Sequence, residues 1–301
     1  MDSRLVILNA TLFDSVNGAL RPGACVTIDQ DRIADVSFTS AGAGDWRVVD
    51  LAGRTLLPGL IDAHVHVTAT IPDLFRLSML PQSLITAQPL EGTQYSVEEM
   101  TAIVEEARAA RTYVMAHAYS PEAITRAVCC GVRTIEHGNL LDEETAKVMA
   151  EYGAYLVPTL ATYDSLSRGS TNLGWNADML AKLEKVSRQG IDAIRIARSA
   201  GVKIGFGTDL LGEMHADQSN EFTLQAKAMP AAEVLRSATF INAEMMGQAG
   251  KLGVIAPGAC ADLVVVDGNP LEDLTLLQHQ GKHLPLIMKA GVLLKNELAV
   301  R

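Results

Sequence analysis

Leu56-Leu57-Pro58-Gly59-Leu60-Ile61-Asp62-Ala63-His64-Val65-His66-Val67 decides how the rest of the chain is read. Pro58-Gly59 interrupts the backbone, and an apolar run then ends in two histidines one residue apart. Along a strand, residues i and i+2 face the same side. The spacing therefore predicts His64 and His66 side by side at the end of a buried strand. Two buried imidazoles without partners are costly, and a metal ion both offsets that cost and fixes the rings. A His-x-His pair on its own is ordinary and is better explained as a core or surface pair. Three further residues change the weight: His117, His137 and Asp209 each stand at the end of another apolar, strand-like run. Nitrogen and carboxylate donors in this mixture suit zinc or a similar divalent ion.

Working outward from the quoted stretch, the chain alternates strand with helix. Residues 113–116, 132–135, 154–157 and 202–206 read as strands. Ser96 and Glu99 form a capping-box signal opening a helix. Ser120 followed by Pro121 marks a second helix start. Asp142 caps a third helix, which Gly153 stops. Residues 178–199 and 231–246 carry helical periodicity. This alternation predicts an α/β fold, a parallel (β/α)8 barrel of the TIM type, in which all strand C-termini open onto one mouth. His64, His66, His117, His137 and Asp209 would then converge there. Each alone is also explained as a hydrogen-bonded core histidine or a helix cap; it is their equivalent placement that favours a site.

The ends of the chain read differently. Residues 4–9, 24–28, 32–36 and 46–50 are short strands separated by Asn17-Gly18, Pro22-Gly23 and a Gly42–Gly44 turn. Strands return at 263–266, 286–289 and 291–295. The expected organisation is a β-sandwich assembled from residues 1–57 and 251–301, beside a metal-binding barrel over 58–250. A complete barrel of this type needs ~250 residues. Only five strand-like runs fall in 58–250, and 71–89 offers a Pro-containing apolar stretch with no clear element.

Composition bounds the partners. The chain has 301 residues and a net charge of −10, which disfavours nucleic acid and anionic membranes. Cys25, Cys129, Cys130 and Cys260 lack metal-site spacing and read as reduced thiols. No charged-then-apolar leader and no run of ~18 apolar residues is present. A soluble, cytoplasmic protein acting on a small molecule is the expectation, with a homo-oligomer left open.

With these residues in view, the chain resembles the amidohydrolase superfamily of metal-dependent hydrolases. The resemblance is carried by Leu57-Pro58-Gly59-Leu60-Ile61-Asp62-Ala63-His64-Val65-His66, His117, Ile135-Glu136-His137-Gly138 and Gly207-Thr208-Asp209. The tail from Gly253 to Val264 is similar to the family's return into its β-sandwich. His117-Ala118-Tyr119 and Glu136-His137-Gly138-Asn139 look most like the branch of imidazolonepropionase-like proteins, Xaa-Pro or Xaa-Arg dipeptidases and ochratoxin-type amidases. The resemblance implies cleavage of an amide bond, in a dipeptide or N-acyl amino acid, by water activated on Zn2+. It implies that His64, His66 and Asp209 hold one ion. His117 and His137 hold a second, or one of them stays free for substrate. Asp209, with His137 and Tyr119, forms the implied catalytic set: Asp209 moves the proton and Tyr119 helps polarise the carbonyl. His215 is implied to contact substrate, although an exposed loop histidine explains it as well.

One departure from the family pattern matters. Two-metal members of this branch bridge their ions with a carbamylated lysine on the fourth strand. No lysine precedes Lys147 in this chain, so that bridge is not identifiable. Against the family pattern, a block of about three β/α units is absent near Gln88 and Pro89. A barrel short of three strands would expose unpaired edges, which favours an omitted or deleted block over a natural contraction. The alternatives are a single-metal deaminase or cyclic-amide hydrolase, or an inactive metal-binding protein.

Overall fold

The computed structural model describes residues 4–39, 46–66, 95–169 and 177–299. Two compact units emerge: Met1–Ile61 with Pro230–Arg301, and Asp62–Met229. In the first, β1 (Arg4–Asp14) and β2 (Ala19–Asp29) form an antiparallel hairpin. Its turn follows from local chemistry. The Asp14 carboxylate accepts the Val16 and Asn17 amides, and Gly18 supplies a left-handed residue at φ +72°. Then come β3 (Arg32–Ser37), β4 (Arg47–Asp50) and β5 (Thr55–Pro58). Sequence reading missed β5, because Pro58 looks like a break. It is the last residue of a fully buried strand and lies opposite Leu263.

The second unit opens with α1 (Val97–Ala109), where Ser96 and Glu99 cap each other reciprocally as expected. Next are β6 (Met115–Ala118) and α2 (Pro121–Cys129), capped by Ser120. They are followed by β7 (Thr134–His137) and α3 (Glu143–Glu151), capped by Asp142. After β8 (Tyr155–Val157) come α4 (Leu160–Gly169), α5 (Ala177–Ser199), β9 (Lys203–Ile204) and the short α6 (Asn220–Gln225). Strands β6, β7, β8 and β9 lie in sequence order in one parallel sheet. Helical crossovers of this kind place every strand C-terminus on one edge.

The chain then re-enters the first unit. The helix expected over 231–246 is divided into α7 (Ala231–Arg236), a π-turn (Ser237–Ile241) and α8 (Asn242–Met245). Ser237 and Thr239 hydroxyls bond back to the Glu233 and Leu235 carbonyls, which competes with the regular ladder. Strands β10 (Leu263–Val266), β11 (Leu286–Lys289) and β12 (Val292–Asn296) complete an eight-stranded sheet. Its centre joins the two ends of the chain: β10 pairs antiparallel with β5, Val264 opposite Leu57. Both strands are buried along their whole length, and Leu56, Leu263 and Val265 lie in the aliphatic core with Ile7 and Val26.

Two expectations need correction. Residues 60–66 form no strand. The segment is instead bonded to the chain leaving β9: the Ala63 amide donates to the Phe206 carbonyl, and the His64 carbonyl accepts the Thr208 and Asp209 amides. The parallel sheet among the described residues has four strands and is not closed into a barrel. The 71–89 stretch, Val67, and the point near Gln88 and Pro89 lie outside the described residues.

Candidate metal centre

The centre is assembled from four places in the second unit. His117 is the third residue of β6 and His137 the last of β7. Pairing therefore runs two residues further than the expected 113–116 and 132–135 strands, and places Ala118 opposite His137. Asp209 follows β9, and His64 and His66 come from the segment bonded to that exit. Asp62 clamps the two together. Its Oδ1 accepts the His64 and Thr208 amides at 3.1 Å each, and its Oδ2 accepts the Thr208 hydroxyl at 2.6 Å and Gln218 Nε2 at 2.8 Å.

All five expected donors meet. Ligand atoms of His64, His66 and Asp209 lie within 4.8 Å of one another, as do those of His64, His117 and His137. Asp209 Oδ1 is 2.8 Å from His66 Nε2 and 3.2 Å from His64 Nε2, and its Oδ2 is 4.0 Å from His137 Nε2. His117 Nδ1 faces His137 Nε2 at 2.6 Å. Left-handed backbone brings several groups inward: φ is +73° at His137, +52° at Asp209 and +48° at Thr159. Non-glycine residues hold such angles only where surrounding structure determines them.

A surrounding layer sets which ring nitrogen faces the centre. His64 Nδ1 lies 2.6 Å from Glu136 Oε2, and Glu136 Oε1 accepts the Thr134 hydroxyl at 2.7 Å. His137 Nδ1 lies 2.7 Å from the Thr159 hydroxyl. In both rings Nε2 is left pointing inward, the arrangement by which histidine ligands are oriented in metal proteins. Burial alone would depress the His64 pKa, but hydrogen bonds to Asp209 and Glu136 outweigh it and push it up to about 9. Burial works against the Asp209 carboxylate, yet bonds from His64 and His66 hold it well below the usual range. Burial, with the nearby histidines, depresses His137 to about 3 and lowers His117. Four imidazoles and one carboxylate, with neutral lone pairs on two rings, fit a divalent ion with a preference for nitrogen and oxygen.

Tyr119 stacks on His137 at 4.9 Å between ring centres. Its hydroxyl accepts a hydrogen bond from Tyr163 at 3.1 Å. Burial pushes the Tyr119 phenol up to about 12, so it stays protonated. His215 is half-buried and does not join the donor set; its Nε2 lies 3.3 Å from the His66 carbonyl. Thr134, Thr159 and Tyr163 escaped sequence reading. The role of Glu136 was missed as well; a charge on a buried strand beside His137 is the signal that could have found it.

The chain is similar to known proteins. The amidohydrolase family model matches residues 79–293. Ochratoxinase of Aspergillus niger is 30% identical over 204 residues, covering 67% of this chain and 42% of the relative. The chain thus spans less than half the length of that relative. A crystal structure of a prolidase complexed with N-methylphosphonate-L-proline superposes with a TM-score of 0.89 at 34% identity, covering 98% of this chain and 100% of the other. An Xaa-Pro dipeptidase with bound methionine shares the fold, with a TM-score of 0.81 at 22% identity over 97% and 100% of the two chains.

Proposed function

The chain belongs to the amidohydrolase family, and from that premise we propose that it hydrolyses the amide bond of a small dipeptide or N-acyl amino acid with a divalent ion, zinc by its donor set. The observation that carries the reading is the convergence of His64, His66, His117, His137 and Asp209 from four separate stretches. Within this reading β6 to β9 are part of a TIM-type barrel over residues 58–250, and residues 1–57 and 251–301 make up a β-sandwich. The enzyme is read as cytoplasmic.

When bound, the ion supplies Lewis-acid activation of water and of the scissile carbonyl. The rest falls to the chain. His64, His66 and Asp209 would hold the ion, their ligand atoms lying within 4.8 Å of one another, and the Asp209 carboxylate takes the water's proton and delivers it to the leaving nitrogen. Tyr119, fed by Tyr163, donates its hydrogen to the carbonyl oxygen. Neutral His117 and His137 offer lone pairs to the ion, and His215 steadies the His66 backbone toward the substrate side. Proline-type specificity is supported by the 34% identity to the prolidase crystallised with a phosphonate of proline.

A single-ion reading is favoured by two observations: the two donor triplets share His64, and no lysine precedes Lys147 to bridge two ions. A deaminase or cyclic-amide hydrolase then becomes the second reading. Turnover by the zinc-loaded protein of Xaa-Pro dipeptides and N-acyl amino acids, measured beside aminopurines and cyclic amides, separates the two. Amide cleavage abolished by a chelator and restored by zinc is expected. Metal-loaded protein that cleaves none of the acyclic amides contradicts the proposal.

A further inference from the structure

Glu221 is fully buried, and its hydrogen bonds go to the Ala161 and Leu160 amides and to Gln225 rather than to the five donors. It sits on α6 and reaches across to α4, where its Oε2 accepts the Ala161 amide at 2.6 Å and the Leu160 amide also bonds to it. A carboxyl group there satisfies amides that a helix start leaves without partners. Residue 159, immediately before them, is the left-handed threonine whose hydroxyl holds His137 Nδ1. Glu221 Oε1 accepts Gln225 Nε2 at 2.9 Å, and the same Nε2 lies 3.3 Å from the Gly205 carbonyl, on the run that leads to Asp209. One buried pair therefore ties the exits of β8 and β9, from which Thr159 and Asp209 come.

We infer that Glu221 is a positioning residue for the centre: by fixing the Leu160 and Ala161 amides it keeps Thr159 in its left-handed conformation, and through Thr159 it aims His137 Nε2 inward. The inference rests on the metal reading given above. Burial pushes the Glu221 pKa up to about 8, despite hydrogen bonds from Gln225 and the two amides. A glutamine in its place keeps an acceptor oxygen for the Ala161 amide.

The test uses the full chain stripped of metal, with folding checked by circular dichroism. Zinc affinity is read by chelator competition, and the His137 ring by histidine-selective NMR without metal. E221A is expected to lose roughly 10- to 100-fold in zinc affinity, the usual cost of removing an outer partner, and to shift the His137 ring signals. E221Q is expected to keep both close to the parent. If E221A does not fold, E221D, whose carboxyl is one methylene too short to reach Ala161, is expected to show the same two losses. Parental zinc affinity together with unmoved His137 signals, in a folded E221A or E221D, overturns the inference. A parent that binds no zinc contradicts the metal reading instead, and the metal-free His137 signals then decide the role of Glu221 alone.

Discussion

His64 is the most committed side chain of the centre: Nδ1 is held by Glu136, and Nε2 is shared with the carboxylate that Asp209 presents. Asp209 is the group whose chemistry is separable from its packing. Asp209→Asn preserves size while removing the proton acceptor. The variant is expected to keep its fold and lose roughly 10²- to 10⁴-fold in kcat, the range for losing a general acid–base group. Steady-state kinetics on a cleaved amide checks this, and wild-type rates would place the proton work elsewhere. The ligand types were legible in the sequence because His-x-His, and histidine or aspartate closing an apolar run, are local patterns. Thr159, Tyr163 and Glu221 were not. A threonine before a helix, and a tyrosine and a glutamate on helices, have no local signature, and their roles arise only from partners distant in sequence: His137, Tyr119 and the Ala161 amide.

At the level of elements, the site depends on how closely the chain leaving β9 approaches the His64 segment. Gly207 permits that approach: a Cβ added there would lie 2.5 Å from Val157 Cγ1, 2.8 Å from His64 Cβ and 3.1 Å from the His64 amide nitrogen. Two of these contacts belong to the stretch that carries the donors, so the strain cannot be absorbed without moving His64. Gly207→Ala is expected to destabilise the fold by about 1–3 kcal/mol, as overpacking does, and to weaken zinc binding together with stability. Denaturation midpoints and chelator competition on one preparation test this; a variant with parental stability and zinc affinity would show that the contact is slack. Strand and cap positions were largely readable, with Ser96, Ser120 and Asp142 capping as expected. The strand ends were displaced because where a strand stops depends on the register of its neighbour, here Ala118 opposite His137, which a single segment does not encode. β5 was missed for a similar reason: its burial comes from β1 and β10, distant in sequence.

For the whole molecule, the alternation of strand and helix correctly indicated an α/β fold, while the strands expected as a β-sandwich after Gly253 join those of the N-terminal part in one eight-stranded sheet. Closure of a barrel could not be read in the same way, since it is set by the number of paired strands rather than by any one of them. The central claim is that donors separated by up to 145 positions in sequence, from His64 to Asp209, surround one divalent cation. Crystals of the zinc-loaded protein, measured at energies just above and just below the zinc absorption edge, test it most directly. The expected result is an anomalous peak among His64, His66, His117, His137 and Asp209 that disappears below the edge and is missing from His64→Ala. Zinc-loaded crystals with no peak at these side chains would contradict the account.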